Sequence, residues 1–188
     1  MSNEIKLANP APLGLSGFAL TTWLLSLINA GLYPPEGMGM VLVMAFAFGG
    51  TAQMIAGVME MFKGNTFGFT AFCGYGAFWW TFALFVAFFH GTCPGEFVGW
   101  YLVIWGVFSL YLLVASFTKA KALMLIFLAL VPTFFLLAAK DLFGMPEMGV
   151  LGGYLGLVTA ALALYLAAAE VINESFGREV LPVGAPQA

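Results

Sequence analysis

Charge is what this chain has least of. Aspartate, glutamate, lysine and arginine together make up 8% of its 188 residues, where soluble domains carry about a quarter. With 62% of the residues hydrophobic, a soluble domain of this length has too little interior to hide them. Lipid has to be the solvent for much of the surface. Basic residues are scarcer than acidic ones, and the net charge of −3 argues against nucleic acid as a partner. His90 is the single histidine. With no cysteine or carboxylate at metal spacing around it, no zinc site is expected. No nucleophile–base pair and no cofactor motif is visible, so the reading is a protein that is not an enzyme and needs no cofactor.

Cysteine is nearly absent as well. Cys73 falls inside an apolar run and Cys93 in a polar break. If one helix joins them, the sulfurs lie roughly 30 Å apart at 1.5 Å per residue, too far to pair. The first apolar run lacks a small-residue cleavage pattern and is expected to stay as a span.

What is present is a series of long apolar runs. Six segments, at about residues 11–31, 38–62, 67–90, 97–117, 121–140 and 149–172, each reach the ~20 residues that a membrane helix needs. Short breaks such as "YPPEGM", "KGNT", "GTCPGE", "TKAK" and "DLFGMPE" separate them. The expected fold is an all-α integral membrane protein of six transmembrane helices, one domain over residues 1–188. With the N-terminus in the cytoplasm, Lys6, Lys63, Lys119, Lys121 and Arg178 fall inside and only Lys140 falls outside, the positive-inside bias. Both termini are then cytoplasmic. Glu36, Glu96, Asp141 and Glu147 occupy the outer breaks.

The spans also group in pairs. Each odd span starts at the cytoplasmic side and meets a bulky residue about nine positions on: Phe18 after Asn9, Tyr75 after Asn65, Leu130 after Lys121. "GNTFG" after the second span is echoed by "NESFG" after the sixth. The pattern predicts three helical hairpins around an axis, set against coincidence in a chain rich in Phe and Gly.

The stretch "NPAPLGLSGF" puts two prolines at the door of the first span. Asn9 is a good N-cap, which places Pro10 at the first helical position and Pro12 at the third. First-turn N–H groups lack partners within the helix, so neither proline removes a hydrogen bond. The prolines start the helix. Beyond that plain role, the positive helix end can attract a small anion.

These residues carry a resemblance. "NPAPLGLSGF", "GGTAQMIAGVMEMFKGNTFGFTAF" and "AAAEVINESFGREVLPVG" are similar to segments of the acetate uptake transporter family, which includes bacterial succinate–acetate permeases, and the likeness covers nearly the whole chain. It implies six helices with a pore inside each protomer, a homohexamer in the cytoplasmic (inner) membrane, and passage of acetate and related small carboxylates. It also implies a hydrophobic constriction, which motif matching puts at Phe18, Tyr75 and Leu130. Pro132, two residues beyond Leu130, is a local departure in that span.

A carboxylate in lipid-like surroundings needs donors to replace water. Thr22, Ser26 and Asn29 follow Phe18 along one helical face and are candidates to line the pore beyond the constriction. Alternatively their side chains bond their own backbone or bridge helices. Gln53, mid-span, either holds substrate or locks two helices. Asn65 is a further candidate for the pore lining. Tyr75 can narrow the pore and donate its hydroxyl. Glu60 and Glu170 end even spans, where their charge opposes the helix dipole. Lys63 or the start of a neighbouring odd helix is expected to compensate them, which makes them structural, with gating or proton relay as the other role. The absence of Lys and Arg from the span centres fits weak binding and rapid passage.

With the resemblance, these residues give the functional expectation of a channel or transporter for acetate and related small carboxylates, with succinate as a candidate. A channel for small neutral solutes such as urea or short amides is the alternative, and anion flux would respond to voltage where amide flux would not.

Overall fold

Six apolar runs become six helices. The computed structural model describes residues 7–184, and within them α1 spans Ala11–Asn29, α2 Pro35–Phe62, α3 Thr66–Phe89, α4 Gly95–Ser116, α5 Lys121–Phe143 and α6 Pro146–Phe176. All six are long and apolar enough to cross a membrane. An even number of crossings puts residues 7 and 184 on the same side. Lys6, one of the basic residues used for the orientation, lies outside the described residues.

Most boundaries fall within a few residues of those expected. The largest difference is at α6, which runs past residue 172 to Phe176 and stops at Gly177, in the left-handed region at φ 63°. Pro132 leaves α5 continuous from Lys121 to Phe143.

Glycines set how closely these helices approach, as small residues do in membranes. A Cβ on Gly17 of α1 would lie 2.6 Å from the Phe48 carbonyl oxygen of α2. One on Gly57 of α2 would lie 2.6 Å from the Cys73 amide nitrogen of α3. On α6, a Cβ at Gly153 would fall against the backbone of Asn29 and Ala30, 2.6 Å from the Asn29 carbonyl carbon. Along α2, residues Ala45–Ala52 wind as a π-helix, the wider turn that often marks functional positions, and Gln53 follows directly.

The two cysteines are free. Lys140, the one basic residue assigned outside, pairs with Asp141 at 3.3 Å.

Candidate functional site

The starts of the three odd helices converge around one cavity of about 180 Å³. It runs from a mouth at Asn65, Ala120 and Glu170 inward to Phe18, Tyr75 and Leu130. The three side chains picked out along the odd spans are all buried and all line this one space. Phe18 and Tyr75 touch ring to ring, with centroids 5.4 Å apart. Tyr75 is further held by Phe108 at 5.4 Å and by Phe127 at 6.3 Å. Such tilted and edge contacts suit the ring quadrupole and fix the aromatic at one position.

The Tyr75 hydroxyl does not face the cavity as a free donor. It lies 2.8 Å from Ser109 Oγ. Ser109 Oγ donates to the Trp105 carbonyl at 2.8 Å, so the tyrosine is the donor in the pair. The expected hydrogen bond from this hydroxyl to a solute is thus already spent on α4. Ser109, fully buried, is a residue that sequence reasoning missed. A lone serine in an apolar helix carries no signal of what it faces.

Gln53 lines the same cavity. It is 0% exposed, and neither its Nε2 nor its Oε1 has a hydrogen-bond partner in the protein. Of its two expected roles, the helix lock finds no partner to lock. An unmet buried amide is costly. It is suited to a polar solute that enters the cavity.

The mouth is polar. Asn9 does not sit where the N-cap was expected. The helix begins at Ala11, Pro10 occupies the cap position with φ −82° and ψ −13°, and Pro12 lies in the first turn. The shift is one residue, because Pro10 itself adopts helical dihedrals. Asn9 Oδ1 still accepts from the Ala11 amide at 3.2 Å, so a first-turn donor is met and the prolines cost no hydrogen bond. Asn9 Nδ2 donates to Glu170 Oε2 at 2.8 Å.

Asn65 repeats this arrangement. Its Oδ1 accepts from the Gly68 amide at 3.1 Å, capping α3. Its Nδ2 donates to Glu60 Oε2 at 2.8 Å. Each glutamate at the end of an even helix is therefore held by the asparagine that starts an odd helix. Lys63 contributes as well: its Nζ donates to Asn9 Oδ1 at 3.3 Å, and its charge acts on Glu170 through space. A carboxylate beside a helix start is favourably placed, and both glutamates have found one.

The third odd helix has no such pair. Its first amides are met by the C-terminal segment: Lys121 N–H donates to the Gly184 carbonyl at 3.3 Å and Ala122 N–H to that of Val183 at 3.0 Å. The echo between "GNTFG" and "NESFG" has no structural counterpart. Asn65 caps a helix, whereas Asn173 lies within α6.

Thr22, Ser26 and Asn29 lie beyond Phe18, outside this cavity. Thr22 is buried with an unpartnered hydroxyl, as is the Thr21 beside it. Ser26 packs on Gly156, and Asn29 is half-buried with its backbone against Gly153. Ser26 thus has the helix-bridging surroundings weighed as the alternative to pore lining.

The comparisons with known proteins agree with this six-helix fold. The model of the GPR1/FUN34/yaaH family matches residues 1–183. The chain is 44% identical over 183 residues to the succinate-acetate/proton symporter SatP of Escherichia coli (strain K12), covering 95% of this chain and 96% of that one. It is 37% identical to acetate permease A of Emericella nidulans, covering 95% of this chain and 66% of the relative. A solved structure described as the bacterial acetate channel SatP superposes with a TM-score of 0.91 at 44% identity, over 95% of this chain and all of that one.

Proposed function

The chain belongs to the GPR1/FUN34/yaaH family, and from that premise we propose that it carries acetate and related small carboxylates across a membrane, without a covalent step. The observation that carries this reading is the convergence of Phe18, Tyr75, Leu130 and the unpartnered Gln53 on one cavity. A carboxylate entering from the mouth passes the Asn9–Glu170 and Asn65–Glu60 pairs and reaches an apolar space with one amide to meet it. The Gln53 Nε2–H₂ replaces part of the hydration that the solute gives up. Phe18, Tyr75 and Leu130 then set the size of solute that passes. Thr22, with its unpaired hydroxyl, is the next donor beyond them, and Ser26 and Asn29 follow it on α1. Fixed cations are absent from this lining, which favours release over capture.

The protein acts as a homohexamer in the cytoplasmic membrane, with both termini and the cavity mouth inside. The orientation is supported by Lys63, Lys119, Lys121 and Arg178, which adjoin the helix ends at the mouth, against Lys140 at the other end.

Labelled-solute flux into liposomes holding the purified protein tests the reading. Acetate flux should exceed that of urea, and Phe18→Ala and Leu130→Ala should raise the lactate-to-acetate flux ratio while keeping yield and oligomer size. A buried packing leucine behaves otherwise, since its truncation costs about 2–5 kcal/mol. Two unstable variants with an unchanged ratio would make both residues packing groups and put the size filter elsewhere.

A further inference from the structure

The cavity has a wall that belongs to none of the six helices. After Gly177 the chain turns back along the helix ends, and Val183 joins the cavity lining beside Ala120 and Leu123. Three kinds of bond hold this segment. Asn173 of α6 accepts from the Val180 and Leu181 amides on Oδ1, at 2.7 and 2.9 Å, and donates from Nδ2 to the Leu181 carbonyl at 2.8 Å. The Tyr165 hydroxyl donates to the Pro182 carbonyl at 2.8 Å. The Val183 and Gly184 carbonyls cap the start of α5.

We propose that residues 179–184 form a strap that walls the mouth of the cavity and sets how wide it opens, with Asn173 as the positioning residue that holds the strap and Val183 as the side chain that narrows the entrance. One side chain makes three of the bonds, so Asn173 is the strap's largest single anchor. Short exposed segments tied by few contacts open locally at low cost. Opening here also uncaps α5, the helix that carries Leu130. The strap therefore links the width of the mouth to the seating of one member of the constriction. It does on the third odd helix what the Asn–Glu pairs do on the other two, but with backbone carbonyls on a removable segment.

The proposal deepens the transport reading, and its first readout does not depend on transport. In a chain carrying Cys73→Ser and Cys93→Ser, Ala71→Cys places one thiol in the cavity wall. The rate at which a small hydrophilic methanethiosulfonate labels it in detergent reports access through the mouth. Deleting Val180–Ala188 should speed labelling about tenfold, as should Asn173→Ala, which covers the case in which the shortened chain fails to fold. Asn173→Asp keeps the acceptors for Val180 and Leu181 and should give an intermediate rate. A thiol at exposed Arg178 should label equally in all backgrounds. Equal labelling of Ala71→Cys in the full chain and in folded strap variants would overturn the proposal. In liposomes the strap variants should also raise the lactate-to-acetate flux ratio. Absence of acetate flux in the full chain would sink the transport reading, and the labelling rates would still decide the strap.

Discussion

The two ends of α1 are built for opposite purposes. From Ala11 to Phe18 the helix faces an open cavity, with Leu15 and Phe18 in its wall. From Thr22 to Ala30 the same helix is pressed onto α6, where Gly153 and Gly156 admit the backbone of Asn29 and Ala30 and the side chain of Ser26. The first half is stabilised at its start by a polar junction, the second by the absence of side chains. A transport path needs both: room for a solute on one side of the constriction, and a contact tight enough to keep that room from becoming a leak. Four buried side chains near the changeover, Thr21, Thr22, Gln53 and Trp79, carry polar atoms without partners. Native structures pair nearly all such atoms. Three of them lie on α1 and α3, which carry Phe18 and Tyr75, and Gln53 on α2 lines the same cavity, an arrangement suited to a polar solute.

The largest effect should come from closing the tight half. Gly153→Ala puts a methyl group into the backbone of Asn29 and Ala30, and backbone cannot rotate aside. Overpacking a well-packed contact costs about 1–3 kcal/mol, so thermal stability in detergent and yield of assembled protein should both fall. Gly149→Ala on the same helix meets only the Lys140 side chain and should be mild. Equal stability of the two variants would mean that the contact at Gly153 is looser than its geometry.

Much of this division was legible in the residues, and some of it had no signal to read. The spans followed from apolar length, and their ends from "YPPEGM", "KGNT" and "TKAK", because lipid allows few alternatives to a helix. Asn9 and Asn65 were visible as helix starts. That the start of an odd helix could meet each glutamate ending an even one followed from the helix dipole; that the asparagine side chains would be the partners did not, since Asn9 and Glu170 lie 161 residues apart. Phe18, Tyr75 and Leu130 stood at similar depths in three odd spans, but their meeting on one cavity came as an expectation from family resemblance. The strap left no mark at all: backbone carbonyls cap α5, and a carbonyl is the same in every residue. Ser109 was equally silent, because a serine bonded to its own helix and one that anchors a tyrosine look alike until the facing side chain is known.

An intermediate effect is expected at Gln53, on the open side of the changeover. Its two unpartnered groups cost stability in the empty protein, about 1–3 kcal/mol for a buried group left unsatisfied. Gln53→Leu keeps the approximate volume and removes the polarity. Thermal stability should therefore rise while acetate flux falls about tenfold, a trade common at functional sites. If Gln53 is only packing, Gln53→Leu should change stability and leave acetate flux within about twofold; a fall in flux beside a rise in stability means that it meets the solute.

The smallest effect should come from Tyr75→Phe, and its interest lies in what stays unchanged. The Tyr75 hydroxyl is donated to Ser109, so the substitution keeps the ring among Phe18, Phe108 and Phe127 and loses one buried hydrogen bond, worth about 1 kcal/mol. Ser109→Ala loses the same bond from the other end. If the hydroxyl only orients the ring, Tyr75→Phe should lower thermal stability slightly and Ser109→Ala more, because the latter leaves the buried tyrosine O–H unsatisfied. The double variant should lose no more than Ser109→Ala alone, since neighbours that share one bond are not additive. Acetate flux and the lactate-to-acetate ratio should then hold within about twofold, under 0.5 kcal/mol in barrier. If Tyr75→Phe alone cuts acetate flux severalfold while Ser109→Ala leaves it intact, the hydroxyl leaves Ser109 to meet the solute. The constriction would then supply a donor as well as a size limit, and the changeover in α1 would be matched by one in α3.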